Sequence, residues 1–239
     1  DGYSNGYNDG SSNGGGDPYY EEFYNLRTSN GTNMDSLFAR TSGELDLRKV
    51  DVSNVTSMKY MFDNSSASVN IDGWDTSKVT NMQYMFQQCT QIREIKGDFT
   101  LNACNCYNMF DACYQAPIIP TLRGTISNDY SMFSDFGLNT SSPQMTILDL
   151  SNITYTSGNL NNTYMFFRSK LETVYPPTNI TKSINAFSNT NFSIETYERL
   201  FNNLATVSSK QTVTLGTNVL NKLSSSIKAI ATNKGWTLA

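Results

Sequence analysis

Along residues 50–86 the apolar positions recur in a fixed order. Counting back from Phe62 they stand at Val55, Met58, Met61 and Phe62 itself; counting back from Phe86 the same places hold Val79, Met82, Met85 and Phe86. At ~100° per residue the four places span an arc of about 120°, which predicts one face of a short helix. Nine places after each Phe stands a Leu or Ile: Leu47, Ile71, Ile95 and Ile119. Leu150 and Tyr175 fill the slot where the interval changes. Apolar alternation around it (Leu45/Leu47, Val69/Ile71, Leu148/Leu150) predicts a strand of about three to five residues.

The two halves form a repeat. A Met-Phe pair or a close variant recurs at Leu37-Phe38, Met61-Phe62, Met85-Phe86, Met109-Phe110, Met132-Phe133, Met165-Phe166 and Ala186-Phe187, with Phe intervals of 24, 24, 24, 23, 33 and 21. The long interval predicts an insertion of about nine residues in the loop 134–146. A unit of this size cannot bury its own apolar side, but stacked copies can. The expected fold is an α/β repeat solenoid. Short parallel strands line one side and short helices the other, with Met and Phe between them.

Three regions follow. Residues 1–18 (DGYSNGYNDGSSNGGGDP) hold too little apolar surface to offset their ordering entropy and are expected to be a flexible tether. Neighbouring subunits of a larger assembly are the partners expected to hold it. The chain begins at Asp1 without Met, which suggests processing or a piece of a longer product. Residues 19–189 are the expected solenoid at about 24 residues per coil, opening with a helix from Tyr20 to Leu26 and an irregular first coil. Residues 190–239 are the expected C-terminal cap: a helix over 193–207, a strand over 210–217, a second helix over 218–235 closed by Gly235, and a last strand at 236–238.

Composition narrows the function. Only 16% of residues are charged, the net charge is −4, and there is no His. The 28 Asn, 28 Ser and 26 Thr make up about one third of the chain. An acidic chain without a basic run is a poor partner for nucleic acid, because phosphate neutralisation needs clustered Lys and Arg. Without His there is no Ser-His-Asp or Cys-His nucleophile system and no His-ligated metal. No stretch approaches ~18 consecutive apolar residues, so no membrane span is expected. No cofactor is expected.

The units resemble the BspA-like leucine-rich repeats, in the variant with a Met-Phe helix. The likeness is carried by LDLRKVDVSNVTSMKYMF (45–62) and GWDTSKVTNMQYMFQQCTQI (73–92), is close over 45–113 and is weaker over 114–187. The tail TLGTNVLNKLSSSIKAIATNKGWTLA is similar to the ends of such proteins from gut bacteria and their phages. The resemblance implies a leucine-rich-repeat solenoid outside the cell or on a virion, used for adhesion and display rather than catalysis.

Four features were candidates for chemistry. Cys89 and Cys113 occupy one column of adjacent units, three places after their Phe; stacking would allow a disulfide, but buried thiols are the simpler reading. Cys106 takes the slot of Met58 and Met82, and Cys104 lies two places before it. C-x-C with single outliers is a poor zinc spacing. Asp51 and Asp75 also match in register. Paired carboxylates can hydrolyse glycosides or bind Ca²⁺ weakly, yet next to Ser53 and Ser77 a turn or capping role fits better. Eight Asn-x-Ser/Thr sequons are read as composition. Tyr60, Tyr84 and Tyr164 stand two places before their Phe, nearly opposite the apolar arc, and are the candidate contact surface.

The expected function is a non-catalytic structural or adhesive protein on a phage virion that recognises a host cell-surface glycan or protein. The alternative is a secreted or anchored bacterial adhesin built from the same repeat. A right-handed β-helix polysaccharide-degrading enzyme is disfavoured by the predicted helix in each unit and the missing His.

Overall fold

The computed structural model describes residues 31–138, 143, 145–156, 160 and 162–239. The tether expected over 1–18, the helix from Tyr20 to Leu26 and residues 139–142 and 144 of the expected insertion lie outside them.

Strands form where the alternation predicts them. β1 (Glu44–Asp46), β2 (Ser68–Asn70) and β3 (Ile95–Lys96) pair in parallel, with Leu45 opposite Val69 and Val69 opposite Ile95. Each buries one side chain and turns its neighbours outward, the pattern of a sheet covered on one face. Amides just past the strands continue the pairing: Leu47 donates to the Asn70 carbonyl at 2.8 Å and Ile71 to that of Lys96 at 2.9 Å.

A second sheet lies beyond the strands that the alternation predicts. β4 (Asp98–Asn105) and β5 (Thr121–Asn128) run eight residues each, and later β7 (Ile153–Tyr155) joins them in the parallel order β4-β5-β7. Phe99, Leu101, Leu122 and Ile126 point into the core. The equivalent stretches of the two earlier units cannot extend this way. Asp51 Oδ1 accepts the Ser53 amide at 2.9 Å and Asp75 Oδ1 that of Ser77 at 3.0 Å, so each aspartate closes a turn. The amide and then the hydroxyl of Ser53 lower the Asp51 pKa, and the hydroxyl and then the amide of Ser77 lower that of Asp75. β6 (Ile147–Asp149) pairs with β8 (Thr173–Tyr175) on the first side of the unit.

The Met-Phe segments correct the helix expected there: they are strings of turns. Met61, Asp63 and Ser65 donate to carbonyls three residues back at 3.0–3.2 Å. The intervening amides of Met58, Tyr60, Phe62 and Asn64 donate instead to Asn81, Gln83, Met85 and Gln87 of the next unit at 2.8–3.0 Å. A helix would keep all these donors to itself. Here every second one ties two units together. The geometry needs left-handed residues two places before and two places after the Phe, and Tyr60 and Asn64 have φ of 57° and 53°. Turns three residues long repeat nearly as a helical face does. The expected burial of Val55, Met58, Met61 and Phe62 therefore holds although the helix does not.

Between the two sides runs a buried column of rings: Phe38, Phe62, Phe86, Phe110, Phe133 and Phe166. Neighbouring centroids lie 4.9–6.0 Å apart and the planes within 13° of parallel. All four cysteines are buried free thiols. Cys89 Sγ donates to the Phe62 carbonyl and Cys113 Sγ to that of Phe86, each at 3.1 Å. Burial raises the Cys113 thiol well above its ordinary range, which keeps it protonated.

One polar cluster sits inside the stack. Asp129 is 6% exposed, and its Oδ2 and the Tyr155 phenol oxygen are buried without a hydrogen-bond partner among the described residues. Burial pushes the Asp129 carboxyl up to about 6. Burial, and then the nearby Asp129 charge, raise Tyr155; the side-chain bond that the Cys106 thiol makes to Cys104, then burial, raise Cys106.

The C-terminal segment follows its expected order. α1 (Ile194–Asn203) is followed by β9 (Gln211–Val213), α2 (Thr217–Leu220), α3 (Ser225–Thr232) and β10 (Trp236–Leu238), and β9 pairs with β10 in parallel. The expected second helix is split because Ser224 starts α3 afresh, its side chain accepting the Ile227 amide at 3.2 Å. Lys234 Nζ donates to the carbonyls of Phe201, Asn202 and Leu204 at 3.1, 2.6 and 2.8 Å, which satisfies the end of α1.

Candidate functional site

The turn segments carry a second aromatic column, parallel to the buried Phe column and facing solvent. Tyr60 stacks on Tyr84 at 4.6 Å, Tyr84 meets Tyr107 at 5.2 Å, Tyr107 stacks on Tyr130 at 5.1 Å, and Tyr130 meets Tyr164 at 5.4 Å. Phe167 closes the row, edge-on to Tyr164 at 6.0 Å. The three tyrosines singled out from the sequence are all in this row, and the structure adds Tyr107, Tyr130 and Phe167.

Tyr107 and Tyr130 escape a fixed-spacing search because they stand three places before their Phe, not two. Asn108 and Ser131 take the left-handed position there, at φ 53° and 51°, a conformation that suits Asn better than Tyr. Tyr84 and Tyr107 still meet, because the Tyr84 amide donates to the Tyr107 carbonyl at 2.9 Å. A search allowing a one-residue slip would find both.

A row of asparagines fixes the backbone beneath these rings. Asn105, Asn128 and Asn162 each accept, through Oδ1, the amide two residues on; those amides belong to Tyr107, Tyr130 and Tyr164, at 3.2, 3.0 and 3.0 Å. Asn33 and Asn81 repeat the bond in their own units at 2.7 and 3.1 Å. Part of the Asn excess is thus committed to setting each turn.

The row is graded from end to end. Tyr60, Tyr84 and Tyr107 are half-buried between neighbouring rings, and Lys59 Nζ lies 5.1 Å from the Tyr60 centroid and 5.9 Å from that of Tyr84. Tyr130, Tyr164 and Phe167 are 37%, 47% and 48% exposed. Arg168 lies over the Phe167 ring at 5.4 Å, and its guanidinium is held by a two-pronged bond to Asp135 at 2.7 and 2.8 Å. That pairing raises the Arg168 pKa further. Beside the row, Asp111 accepts from Gln87 and Asn108 at 3.0 and 3.1 Å, and burial lifts its pKa.

Chemically the row offers broad, rigid, amphipathic area with phenol groups at its edge. Stacked rings lose little side-chain entropy on binding. Asp51 and Asp75 are occupied as turn-closing groups. Among the described residues no group of three or more His, Cys, Asp or Glu is placed to hold a metal ion, and no helix is long and apolar enough to cross a membrane.

No curated protein and no solved structure matches the chain significantly. Over residues 18–118 the chain matches the family model described as a Mycoplasma protein of unknown function, DUF285, a family associated with BspA-like surface proteins, and the matched stretch contains both units whose motifs carry the resemblance.

Proposed function

We propose that the protein is a non-catalytic recognition protein displayed on a virion or bacterial cell surface. In this reading it is a leucine-rich-repeat-like solenoid whose outward tyrosine row meets a host-surface glycan or protein. The observation that carries the reading is the row itself: five tyrosines in ring contact from Tyr60 to Tyr164, extended by Phe167 and most exposed at that end. Exposed, pre-ordered Tyr is characteristic of contact surfaces, and aromatic anchors dominate their energetics. Phage display is the first setting proposed. The match to a Mycoplasma family favours a bacterial surface as the second. The genomic neighbourhood separates them: tail and capsid genes in one case, a surface locus in the other.

Attachment to host-surface preparations tests the reading. The double substitution Tyr130→Ala with Tyr164→Ala should weaken attachment about tenfold or more, with little change in melting temperature because both rings are exposed. Unchanged attachment would remove the row as the contact surface.

A further inference from the structure

Among the described residues, the amide bonds that tie one turn segment to the next are missing at Phe166 and Arg168. In the unit of Phe62, the amide of the Phe and that of the residue two places on both donate to the next unit; the same holds at Phe86 and Phe110. In the unit of Phe166 the corresponding donors are the amides of Phe166 and Arg168, and among the described residues neither has a backbone acceptor. The Phe column registers the same break. Phe166 and Phe187 are inclined at 53°, and Phe192 enters edge-on to Phe166 at 5.2 Å.

The two segments part here around a cavity of about 440 Å³ lined by Tyr164, Phe167, Arg168, Ser188, Asn189 and Thr190 among others. A second hollow of about 340 Å³ adjoins it and shares Phe166, Arg168, Asn189 and Thr190. Tyr164 and Phe167 meet edge to face and are each about half exposed, and Arg168 lies over one face of Phe167. The cavity thus joins three kinds of group: exposed aromatic rings, backbone donors with no backbone acceptor among the described residues, and side-chain amide and hydroxyl groups.

From these groups we infer that the cavity is a binding site for a pyranose sugar unit of a surface glycan. One C–H face of a pyranose is flat and apolar and suits Phe167 and Tyr164. Its hydroxyls both donate and accept, which matches the Phe166 and Arg168 amides on one wall and Ser188 and Asn189 on the other. The combined space is in the range of small-molecule sites. A peptide adding as a strand would need a longer run of free backbone than two amides. The inference rests on the surface-recognition reading and names its ligand class.

Isothermal titration of the intact protein with maltohexaose, the hexamer of N-acetylglucosamine and hexagalacturonate tests it. The last separates an acidic from a neutral sugar, since Lys170 borders the adjoining hollow. At least one hexamer should bind with a Kd below about 1 mM. Phe167→Ala should weaken it about tenfold or more. Leu37→Ala should leave it unchanged, since Leu37 is exposed in a distant unit. The proposal is overturned if no hexamer binds at about 10 mM, if Phe167→Ala binds as the wild type does, or if a decaproline peptide displaces the sugar from the same site. The attachment assay reads Tyr130 and Tyr164 on a whole surface, whereas this titration reads a soluble sugar and Phe167, so the two readings fail separately.

Discussion

Replacing Gly124 with Ala is expected to destabilise the protein by at least about 3 kcal/mol, read as a fall of about 10 °C in melting temperature. Gly124 lies in β5 where the pairing with β4 shifts register, at φ +107°. A Cβ there would sit 2.2 Å from the Leu101 carbonyl oxygen and 3.0 Å from the Leu101 nitrogen. Both contacts are with backbone already committed to the sheet, so rotamer changes cannot relieve them. Gly73 is the control. Its φ is +85° but nothing lies within 4 Å of the added Cβ, so Ala there should cost only the left-handed penalty of about 1 kcal/mol. Equal effects at the two positions would mean that the close approach of β4 and β5 is not as described.

Asp129→Asn should make the protein more stable than the wild type above pH 7, by an amount that shrinks as the solution is acidified. The folded carboxyl titrates at about 6 against an ordinary 3.8, a difference worth roughly 3 kcal/mol. Because the folded pKa is raised, the group's contribution to wild-type stability is fully present below 3.8 and is lost as pH rises through about 6. Asn removes that titration. The stability difference between variant and wild type, measured by urea unfolding across this range, should therefore change by roughly 3 kcal/mol. A difference independent of pH would show that Asp129 is not held in a dry setting. Acid-sensitive aspartates such as Asp51 and Asp75 affect both proteins alike and cancel in the comparison.

Much of this molecule is legible in its sequence, and the failures have one cause. The 24-residue interval predicts which residues are buried and which strands pair, because those depend on spacing alone. Val79, Met82, Met85 and Phe86 are all buried as expected. The helix over the same residues does not form, because a three-residue turn period and a helical face place apolar side chains almost alike. What separates them is where the amides go, and half of those bonds lie in the neighbouring unit. The clue within the chain is weak: a bulky Tyr60 or Tyr84 at positive φ is tolerated only when the neighbouring unit fixes the turn. β4 and β5 escape the spacing for a related reason. The alternation of Phe99 with Leu101 falls outside the slot counted from each Phe. The candidate row was half legible: Tyr60, Tyr84 and Tyr164 share a spacing, while Tyr107 and Tyr130 share only the neighbourhood that the bonding creates. The cavity beside Phe167 was not legible, since it lies where the amides of Phe166 and Arg168 have no backbone acceptor among the described residues.

Residue-resolved hydrogen exchange on the intact protein tests the central claim, that the amides of the turn segments at Phe62, Phe86 and Phe110 tie each unit to the next and that those of Phe166 and Arg168 do not. The account predicts that the amides of Phe62, Asn64, Phe86, Gln88, Phe110 and Ala112 exchange only through large-scale unfolding, as slowly as those of β4 and β5, while Phe166 and Arg168 exchange by local opening. Fast exchange at Phe62 and Phe86, or protection at Phe166 and Arg168 equal to theirs, would contradict it.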